Sequence, residues 1–359
     1  MEYMHHKLRL ASLDILRGLD LFLLVFAQPV IIAIGQAADI PWLNTLLYQL
    51  DHEVWEGFRV WDLVMPLFLF MVGTSMPFSF SKYIRNKDYA GLYRKIIRRV
   101  IILFFFGMIV QGNILGFDLS RIYIYTNTLQ AIAIGYLIAS IIILSLPLRA
   151  QIAVTVSLLV IYWIPMKFCG DYSLYGSFAY FVDEAIIGKF RGDITYTWIW
   201  SSINFGVTVL TGYFAGVIIR NHSANKPRAA YILFATGIAL TAAGLLWSLE
   251  MPIIKRLWTS SMTLFSSGLC FILMSLFYYI IDCLGYTRGL NWLKIYGMNA
   301  ITAYLLGEVI NFRSIVSSVS YGLQPILGSY YNAWLTFGNF LILFFILREM
   351  YRRKIFLKI

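Results

Sequence analysis

A histidine at the start of an apolar stretch is the residue best suited to chemistry. The stretch is HEVWEGFRVWDLVMPLFLFMVGTSM (52–76), and ionisable residues precede its apolar run. An imidazole ordinarily titrates near neutrality, so His52 is a candidate general base or nucleophile. Asp51, Glu53 and Asp62 carry carboxylates that could orient the ring. The alternative interpretation is an exposed loop histidine that lies beside acidic residues.

Basic residues at two other places are candidates for binding phosphate. Arg17 lies in RLASLDILRGL (9–19), where a helix cap and an i,i+3 ion pair with Asp14 are an alternative account. The second place is a cluster of four residues, Arg94, Lys95, Arg98 and Arg99. Arginine suits phosphate, so the cluster could hold a phosphate-bearing cofactor. The alternative is that it anchors a membrane helix on its cytoplasmic side.

Amide side chains interrupt stretches that are otherwise apolar. Gln28 is followed by a proline, Asn127 begins an apolar run and Asn299 lies inside a late one. A buried amide in lipid needs hydrogen-bond partners, so Gln28 either contacts a polar cavity or bonds a neighbouring helix. Asn127 belongs to a polar turn at the outer start of its span, and Asn299 adds polarity to its span. Pro66 predicts a kink in the helix that follows His52, because proline removes one helical hydrogen bond.

The elements that must position these residues are membrane helices. Of the 359 residues, 60% are hydrophobic and 13% are charged, and the mean hydropathy is +0.72. Soluble proteins have about 25% charged residues. The composition therefore predicts an all-α, polytopic membrane protein, with residues 1–359 forming a single domain. The three cysteines have no metal-binding spacing and the chain has no phosphate-binding glycine loop, so we expect no metal.

Apolar runs of spanning length predict about ten transmembrane helices. The count would change to eleven if the polar, glycine-rich segment 313–328 also crosses; that segment could instead be re-entrant or interfacial. The predicted spans are roughly 17–36, 60–80, 97–115, 127–146, 150–165, 197–219, 229–248, 260–283, 291–310 and 330–348.

The distribution of basic residues predicts the orientation. If both termini are cytoplasmic, the cytoplasmic segments contain 21 of the 29 lysines and arginines. The net charge of +11 is then explained by insertion and by contact with anionic lipid, and we expect no nucleic-acid partner. His52 lies on the outer side in this topology, and the cluster Arg94–Arg99 lies on the inner side.

The chain resembles the membrane-embedded heparan-α-glucosaminide N-acetyltransferase family and its bacterial relatives. The resemblance rests on RLASLDILRGL (9–19), on the stretch 52–76 and on IIRRVIILFFFG (96–107). Weaker similarities are TLQAIAIGY (128–136), LWTSSMTLFSSG (257–268) and GMNAITAYLL (297–306). Three departures stand out: Gln28 replaces an asparagine, Tyr196-Thr197-Trp198-Ile199 replaces Asp-Pro-Glu-Gly, and Ala131 replaces an arginine.

The resemblance implies a transmembrane acyltransferase that takes acetyl groups from cytosolic acetyl-CoA and delivers them to an amino sugar or glycan on the far side. The family's catalytic histidine matches His52. On this basis we expect three groups of site residues: catalytic His52, Gln28 and Asp62; residues for acetyl-CoA, Arg17, Arg98, Arg99 and Asn299; and residues for the acceptor, Trp55, Glu56 and Asn127. Asp62 would fix the imidazole tautomer, and Gln28 or Asn299 would donate to the developing oxyanion.

Two other functions are compatible with the sequence. One is a sugar permease without chemistry, and the other is a catalytically inactive relative that binds a glycan or a lipid. The partners we expect are the lipid bilayer and the glycan acceptor, with a homodimer as an option. The location we expect is a bacterial inner membrane.

Overall fold

The computed structural model describes residues 10–38, 40–192 and 196–357, and throughout that part of the chain helices are joined by turns and loops without any strand. Lys7, Arg9 and Lys358, which contribute to the charge asymmetry, lie outside the described residues. The α-helices are α1 Ala11–Phe22, α2 Gln28–Ala38, α3 Pro41–Gln49, α4 Val64–Arg85, α5 Tyr89–Val110, α6 Thr128–Ser145, α7 Leu148–Phe168, α8 Phe178–Ile186, α9 Ser202–Asn221, α10 Lys226–Trp247, α11 Ser260–Phe277, α12 Leu293–Met298, α13 Ala300–Val309, α14 Arg313–Ser320, α15 Gln324–Leu327 and α16 Tyr331–Arg352.

Eight helices in the described part of the chain are long and apolar enough to cross a membrane. They match eight of the ten predicted spans. Helix α5 has the length of a span, but its first half contains the cluster Arg94–Arg99, which lowers its hydropathy. The predicted span 291–310 is broken at Asn299 into α12 and α13. The all-helical class is confirmed, whereas the count of ten and the cytoplasmic termini stay predictions.

Segment 313–328 forms short helices that fold back on the last span. Gly338 of α16 packs against Val316 of α14. The Arg313 guanidinium donates to Thr336 Oγ1 at 2.7 Å and to Asn332 Oδ1 at 2.5 Å. This segment is therefore attached to α16 and is too short to cross a bilayer by itself.

Helices α4 and α9 pack at backbone distance through glycines. A methyl group added to Gly73 would lie 1.9 Å from the Val209 carbonyl oxygen, and one added to Gly212 would lie 2.0 Å from the Phe70 carbonyl oxygen. Small residues allow this approach, which membrane helices use because lipid supplies no hydrophobic drive between them. Phe70 lies opposite Gly212 and Thr74 lies opposite Gly216, so the two helices run in the same direction. This direction is the one expected if α5 crosses between α4 and α6.

Two prolines have different effects from each other. Pro66 lies in the first turn of α4, after a 3₁₀ turn at Val60–Leu63, so no helical hydrogen bond is lost there. The kink predicted at Pro66 is therefore wrong. In the first span, a π-helical turn at Leu23–Ala27 lies directly before Gln28 and Pro29. This turn widens the helix at Leu24, which lines a cavity.

Candidate active site

A cavity of about 510 Å³ lies among α1, α4, α5, α6 and α13. We call it the central cavity. His52 and Lys255 line it beside the start of α4, and Ser75 lines it eleven residues further along that helix, about 16 Å away at the rise of an α-helix. The hydrocarbon core of a bilayer is about 30 Å thick, so the cavity extends over at least half of it.

His52 forms a hydrogen bond with a buried carboxylate. Its Nδ1 lies 2.7 Å from Asp62 Oδ1; the His52 side chain is 45% exposed, and that of Asp62 is fully buried. An ionised carboxylate only accepts hydrogen bonds, so the proton of this pair lies on Nδ1. The other ring nitrogen, Nε2, then carries the lone pair of the ring, and His52 lines the central cavity. The predicted pairing of His52 with Asp62 is present.

Asp62 also fixes the backbone that carries His52. Its Oδ2 accepts the Glu53 amide at 3.2 Å and the Arg59 amide at 3.0 Å. With the imidazole, these contacts give the carboxylate three hydrogen bonds. One side chain therefore sets both the tautomer of the ring and the shape of the loop in which the ring lies.

Glu53 and Arg59 form a bidentate ion pair within the same loop. Arg59 Nε and Nη2 donate to the two Glu53 carboxylate oxygens at 2.9 and 3.1 Å, and the guanidinium lies 3.7 Å from the centre of the Tyr48 ring. This pairing lowers the pKa of the Glu53 carboxyl and raises the pKa of Arg59. The ion pair therefore fixes the two ends of segment 53–59, between α3 and α4, relative to each other.

A lysine distant in sequence completes the group around His52. Lys255 Nζ lies 3.0 Å from His52 Nδ1 and 3.3 Å from Nε2, and 3.8 Å from Asp62 Oδ1. Burial lowers the pKa of Lys255 to about 8, although the Asp62 carboxylate opposes this effect. Lys255 is therefore an ammonium at neutral pH that lies against the ring.

The loop that carries Lys255 is held by side chains that bond its carbonyls. Trp198 Nε1 donates to Arg256 O at 2.8 Å, and Ser201 Oγ and Tyr162 Oη donate to Leu257 O. Trp258 is fully buried with φ of +55°, a strained conformation for a bulky residue that such contacts must offset. These hydrogen bonds therefore hold the loop in a fixed conformation.

Two arginines line the other part of the central cavity, on α1 and α5. These are Arg17 and Arg99, both predicted to bind the cofactor. Arg99 lies 4.6 Å from the centre of the Tyr136 ring, and its Nε is buried without a hydrogen-bond partner among the described residues. Arg98 is exposed and lies outside the central cavity, in a shallow apolar groove on the face of α5 that points away from the cavity. The structure thus brings two of the three predicted arginines together.

The three predicted amide residues lie near the central cavity but do not line it. Gln28 Nε2 donates to Leu50 O at 2.8 Å, two residues before His52, so it braces the loop instead of contacting the ring. Asn127 caps α6 and its Nδ2 bonds the cavity residues Gln111 and Tyr304. Asn299 is buried at the break between α12 and α13, and neither side-chain polar atom has a partner in the described part of the chain.

Trp55 and Glu56 lie in the loop that follows His52 and do not line the central cavity. Trp55 Nε1 donates to Tyr172 O at 2.8 Å and so attaches the His52 loop to the segment after α7. Glu56 is exposed. Their predicted contact with the acceptor stays a prediction.

Lys255 and Arg256 are the site residues that the sequence analysis missed. Both line the central cavity, as do Tyr196 and Tyr304. One signal could have identified the pair. The orientation rule leaves eight basic residues on the outer side, namely Arg59, Arg121, Lys167, Lys189, Arg191, Lys255, Arg256 and Arg313. Lys255 and Arg256 are adjacent exceptions to that rule, and exceptions of this kind often have a functional reason.

A family model described as heparan-alpha-glucosaminide N-acetyltransferase, catalytic, matches residues 9–242, about two thirds of the chain. No curated protein sequence matches. The family match includes His52, Asp62, Arg17 and Arg99, and it ends before Lys255. Among the described residues, no group of three or more histidine, cysteine, aspartate or glutamate side chains could hold a metal ion.

Proposed function

Because this chain belongs to the heparan-alpha-glucosaminide N-acetyltransferase catalytic family, we propose that it is an integral membrane acetyltransferase that transfers an acetyl group from acetyl-CoA to an amino sugar or glycan across the bilayer. The acetyl-CoA enters from the cytoplasm in this proposal. His52 lies at the opposite, periplasmic end, and the membrane is a bacterial inner membrane.

The continuity of the central cavity is the observation that carries the proposal. One space of about 510 Å³ is lined both by His52 and by the pair Arg17 and Arg99. A transferase of this kind must bring a thioester and an amine together within the membrane, since neither the donor nor the acceptor crosses it. A permease needs no imidazole held by a buried carboxylate, so this arrangement favours chemistry.

Arg17 and Arg99 are the residues we propose for the phosphates of the donor. Both line the cavity, and guanidinium forks match phosphate oxygens. The cavity between them and His52 is lined by apolar residues such as Phe68, Val72 and Leu103, which suit the long neutral arm of the donor. Arg98, on the outer surface of α5, instead contacts lipid headgroups in this account.

His52 Nε2 is the atom we propose as the base. The acceptor nitrogen attacks the thioester carbonyl carbon, Nε2 takes the proton that this nitrogen loses, and the carbon–sulfur bond breaks to release CoA as a thiolate. The imidazolium then gives its proton to that thiolate. Asp62 stabilises the positive ring at Nδ1 throughout. In a second version the acetyl group is first transferred to Nε2 and then to the acceptor.

The acceptor approaches from the exposed mouth of the cavity. Glu56 offers a carboxylate there for the protonated amine, and Trp55 holds the loop that shapes the opening. Asn127 acts through Gln111 and Tyr304, which line the cavity wall. Gln28 acts by holding the His52 loop through Leu50 O, without touching the substrate.

Acetyl transfer by the purified protein in liposomes tests the proposal. Labelled acetyl-CoA is supplied with glucosamine or short glucosamine oligomers, and a His52→Ala variant is compared. We expect labelled N-acetyl product with the unaltered protein and at least a 100-fold lower rate with the variant. Sugar uptake without acetylation, unaffected by His52→Ala, would show a permease.

A pulse without acceptor separates the two versions of the reaction. If the acetyl group is first transferred to Nε2, protein quenched after mixing with labelled acetyl-CoA carries label that neutral hydroxylamine removes. Direct transfer leaves the protein unlabelled while product still forms in the complete mixture.

A further inference from the structure

Lys255 approaches His52 more closely than a counterion for Asp62 needs to. Its Nζ lies 3.0 and 3.3 Å from the two ring nitrogens of His52 but 3.8 Å from the nearest Asp62 oxygen, too far for a hydrogen bond. Asp62 already accepts three hydrogen bonds, from His52 Nδ1 and from two backbone amides. The ammonium of Lys255 therefore has donors that the resting carboxylate does not use.

The position of Nζ relative to Nε2 gives those donors a target. Because Nδ1 donates its proton to Asp62, the contact of Nζ with Nδ1 is not a hydrogen bond. The lone pair of the ring lies on Nε2, and in the resting site Nζ donates to it at 3.3 Å. A carbonyl carbon that meets an amine beside Nε2 places its oxygen within a few ångströms of that nitrogen. Lys255 Nζ, which lines the same cavity, lies within reach of such an oxygen.

We infer that Lys255 is a catalytic residue whose ammonium binds the carbonyl oxygen of the transferred acyl group and stabilises the negative charge that develops on it. This inference rests on the proposed acetyl transfer. When the acceptor nitrogen attacks, the carbonyl π-electrons move to the oxygen, and Lys255 donates a hydrogen bond to it without losing the proton. When the carbon–sulfur bond breaks, those electrons reform the double bond and Lys255 is unchanged.

The fixed loop around Lys255 is what such a role requires. Electrostatic stabilisation is effective when the donor is held in place before the charge develops. The carbonyls on both sides of Lys255 are bonded, with Gly57 N donating to Ile253 O at 2.9 Å and Trp198 Nε1 to Arg256 O at 2.8 Å. The Gly57 bond also connects this loop to the loop of His52.

The role requires a protonated Lys255, so kcat should depend on pH. The titratable and charged groups around its ammonium are His52, Asp62 and Arg256, and Glu53 lines the same cavity. Because burial lowers the pKa of Lys255 to about 8, it is an ammonium below that pH and a neutral amine above it. We expect kcat to fall as the pH rises through about 8. An arginine stays charged in this range.

The test compares Lys255→Met and Lys255→Arg with the unaltered protein in the liposome assay. Lys255→Met keeps the length of the side chain and removes the charge. We expect its kcat to fall about 10²- to 10³-fold, with KM for acetyl-CoA within about twofold, as for loss of one oxyanion donor. Lys255→Arg should recover part of the rate, and the ratio of its kcat to that of the unaltered protein should rise above pH 8. Because both proteins use the same acceptor, the ionisation of its amine affects both rates equally and cancels from this ratio.

Two controls keep folding and function apart. Lys167→Met removes a half-exposed lysine that pairs with Glu250 outside the cavity, and its kcat should be unchanged. Binding of CoA to Lys255→Met, measured by calorimetry, should match the unaltered protein and so report an intact site.

The outcomes separate this inference from the proposed function. If Lys255→Met keeps its kcat, or if the Lys255→Arg ratio is flat across pH 8, Lys255 is only a structural counterion, while an inactive His52→Ala still upholds acetyl transfer. If the unaltered protein transfers no acetyl group, the proposed function fails and this inference fails with it.

Discussion

Asp62 is the residue on which the arrangement around His52 depends. It is fully buried, and its two oxygens accept hydrogen bonds from the imidazole and from the amides of Glu53 and Arg59. Removal of such a partner leaves buried donors unsatisfied, and the imidazole is no longer held in one tautomer. The identity of one atom, Oδ1, therefore decides which ring nitrogen can act as the base.

Replacing Asp62 with asparagine should inactivate the protein without unfolding it. The asparagine oxygen would keep the two backbone amides, so its NH₂ group would face His52 Nδ1. Nδ1 must then accept a hydrogen bond, the proton moves to Nε2, and the lone pair of the base is lost. We expect kcat for acetyl transfer to fall about 10²- to 10⁴-fold. Asp118→Asn, a change at an exposed turn, is the matched control and should keep full activity. More than a tenth of the activity remaining in Asp62→Asn would contradict the assigned tautomer.

The residues of the site differ in how far the sequence could reveal them. His52 and Asp62 lie ten positions apart in a single stretch, so their pairing was predictable from local spacing. Lys255 is 203 positions from His52, and nothing local brings the two together. Only the packing of the α10–α11 loop against the His52 loop does so. Arg98 and Arg99 are adjacent in sequence, yet one faces outward and the other faces the cavity, because successive helical residues point about 100° apart.

At the level of elements, the loop between α10 and α11 determines where Lys255 lies. Thr259 is buried at the start of α11, and its Oγ1 donates to Pro252 O at 2.8 Å and accepts from Ile254 N at 3.2 Å. These two bonds fold the loop back on itself across Lys255. The hydroxyl thus fixes the segment before α11 as well as capping the helix.

Replacing Thr259 with valine should loosen this loop. Valine has the same shape but leaves the buried Ile254 amide unsatisfied, while the Pro252 carbonyl keeps only its hydrogen bond from Ser261 Oγ. The cost is about 1–3 kcal/mol in the free energy of unfolding. We expect a lower Tm in detergent and a kcat reduced about tenfold, because Nζ of Lys255 loses its fixed position. Thr259→Ser keeps the hydroxyl and should restore most of both. A kcat equal to that of the unaltered protein in Thr259→Val would show that the loop needs no such bond.

Helices α4 and α9 determine the position of the cavity wall through their glycines. Gly73→Ala places a methyl group 1.9 Å from the Val209 carbonyl oxygen, a clash that only a shift of one helix relieves. Overpacking of this kind costs about 3 kcal/mol. We expect a clear fall in Tm and in the yield of monodisperse protein. Gly322→Ala, where no atom lies within 4 Å of the added methyl group, is the control and should have no effect. Equal Tm values for the two variants would refute the close packing of α4 and α9.

The helices themselves were largely predictable, but their irregularities were not. Eight predicted spans match helices of spanning length, since hydropathy over about twenty residues reports burial in lipid directly. The break at Asn299 and the π-helical turn at Leu23–Ala27 depend on neighbouring helices, which hydropathy does not describe. The same holds for Asn299, predicted to contact the donor, whose side chain lies at the break and outside the cavity lining.

For the molecule as a whole, the orientation in the membrane is the property that assigns one substrate to each end of the cavity. Single cysteines test it in a variant whose three native cysteines are replaced. Ser173→Cys lies beyond α7 on the side of His52, and Ser223→Cys lies between α9 and α10 on the opposite side. A membrane-impermeant maleimide added to intact cells should label the first and label the second only after permeabilisation. The reverse pattern would place His52 in the cytoplasm.

The apolar middle of the central cavity has a consequence for the energy supply of the cell. Ionisable residues lie at both of its ends, and Phe68, Val72, Leu103 and Ile132 line the section between them. In the bacterial inner membrane proposed for this protein, a continuous file of water through that section would conduct protons and discharge the gradient that drives ATP synthesis. Narrow apolar passages shed water, as hydrophobic gates in channels do. The side chains proposed to accommodate the donor would therefore also serve as electrical insulation, and each turnover of the proposed reaction would have to exchange substrates without breaking it.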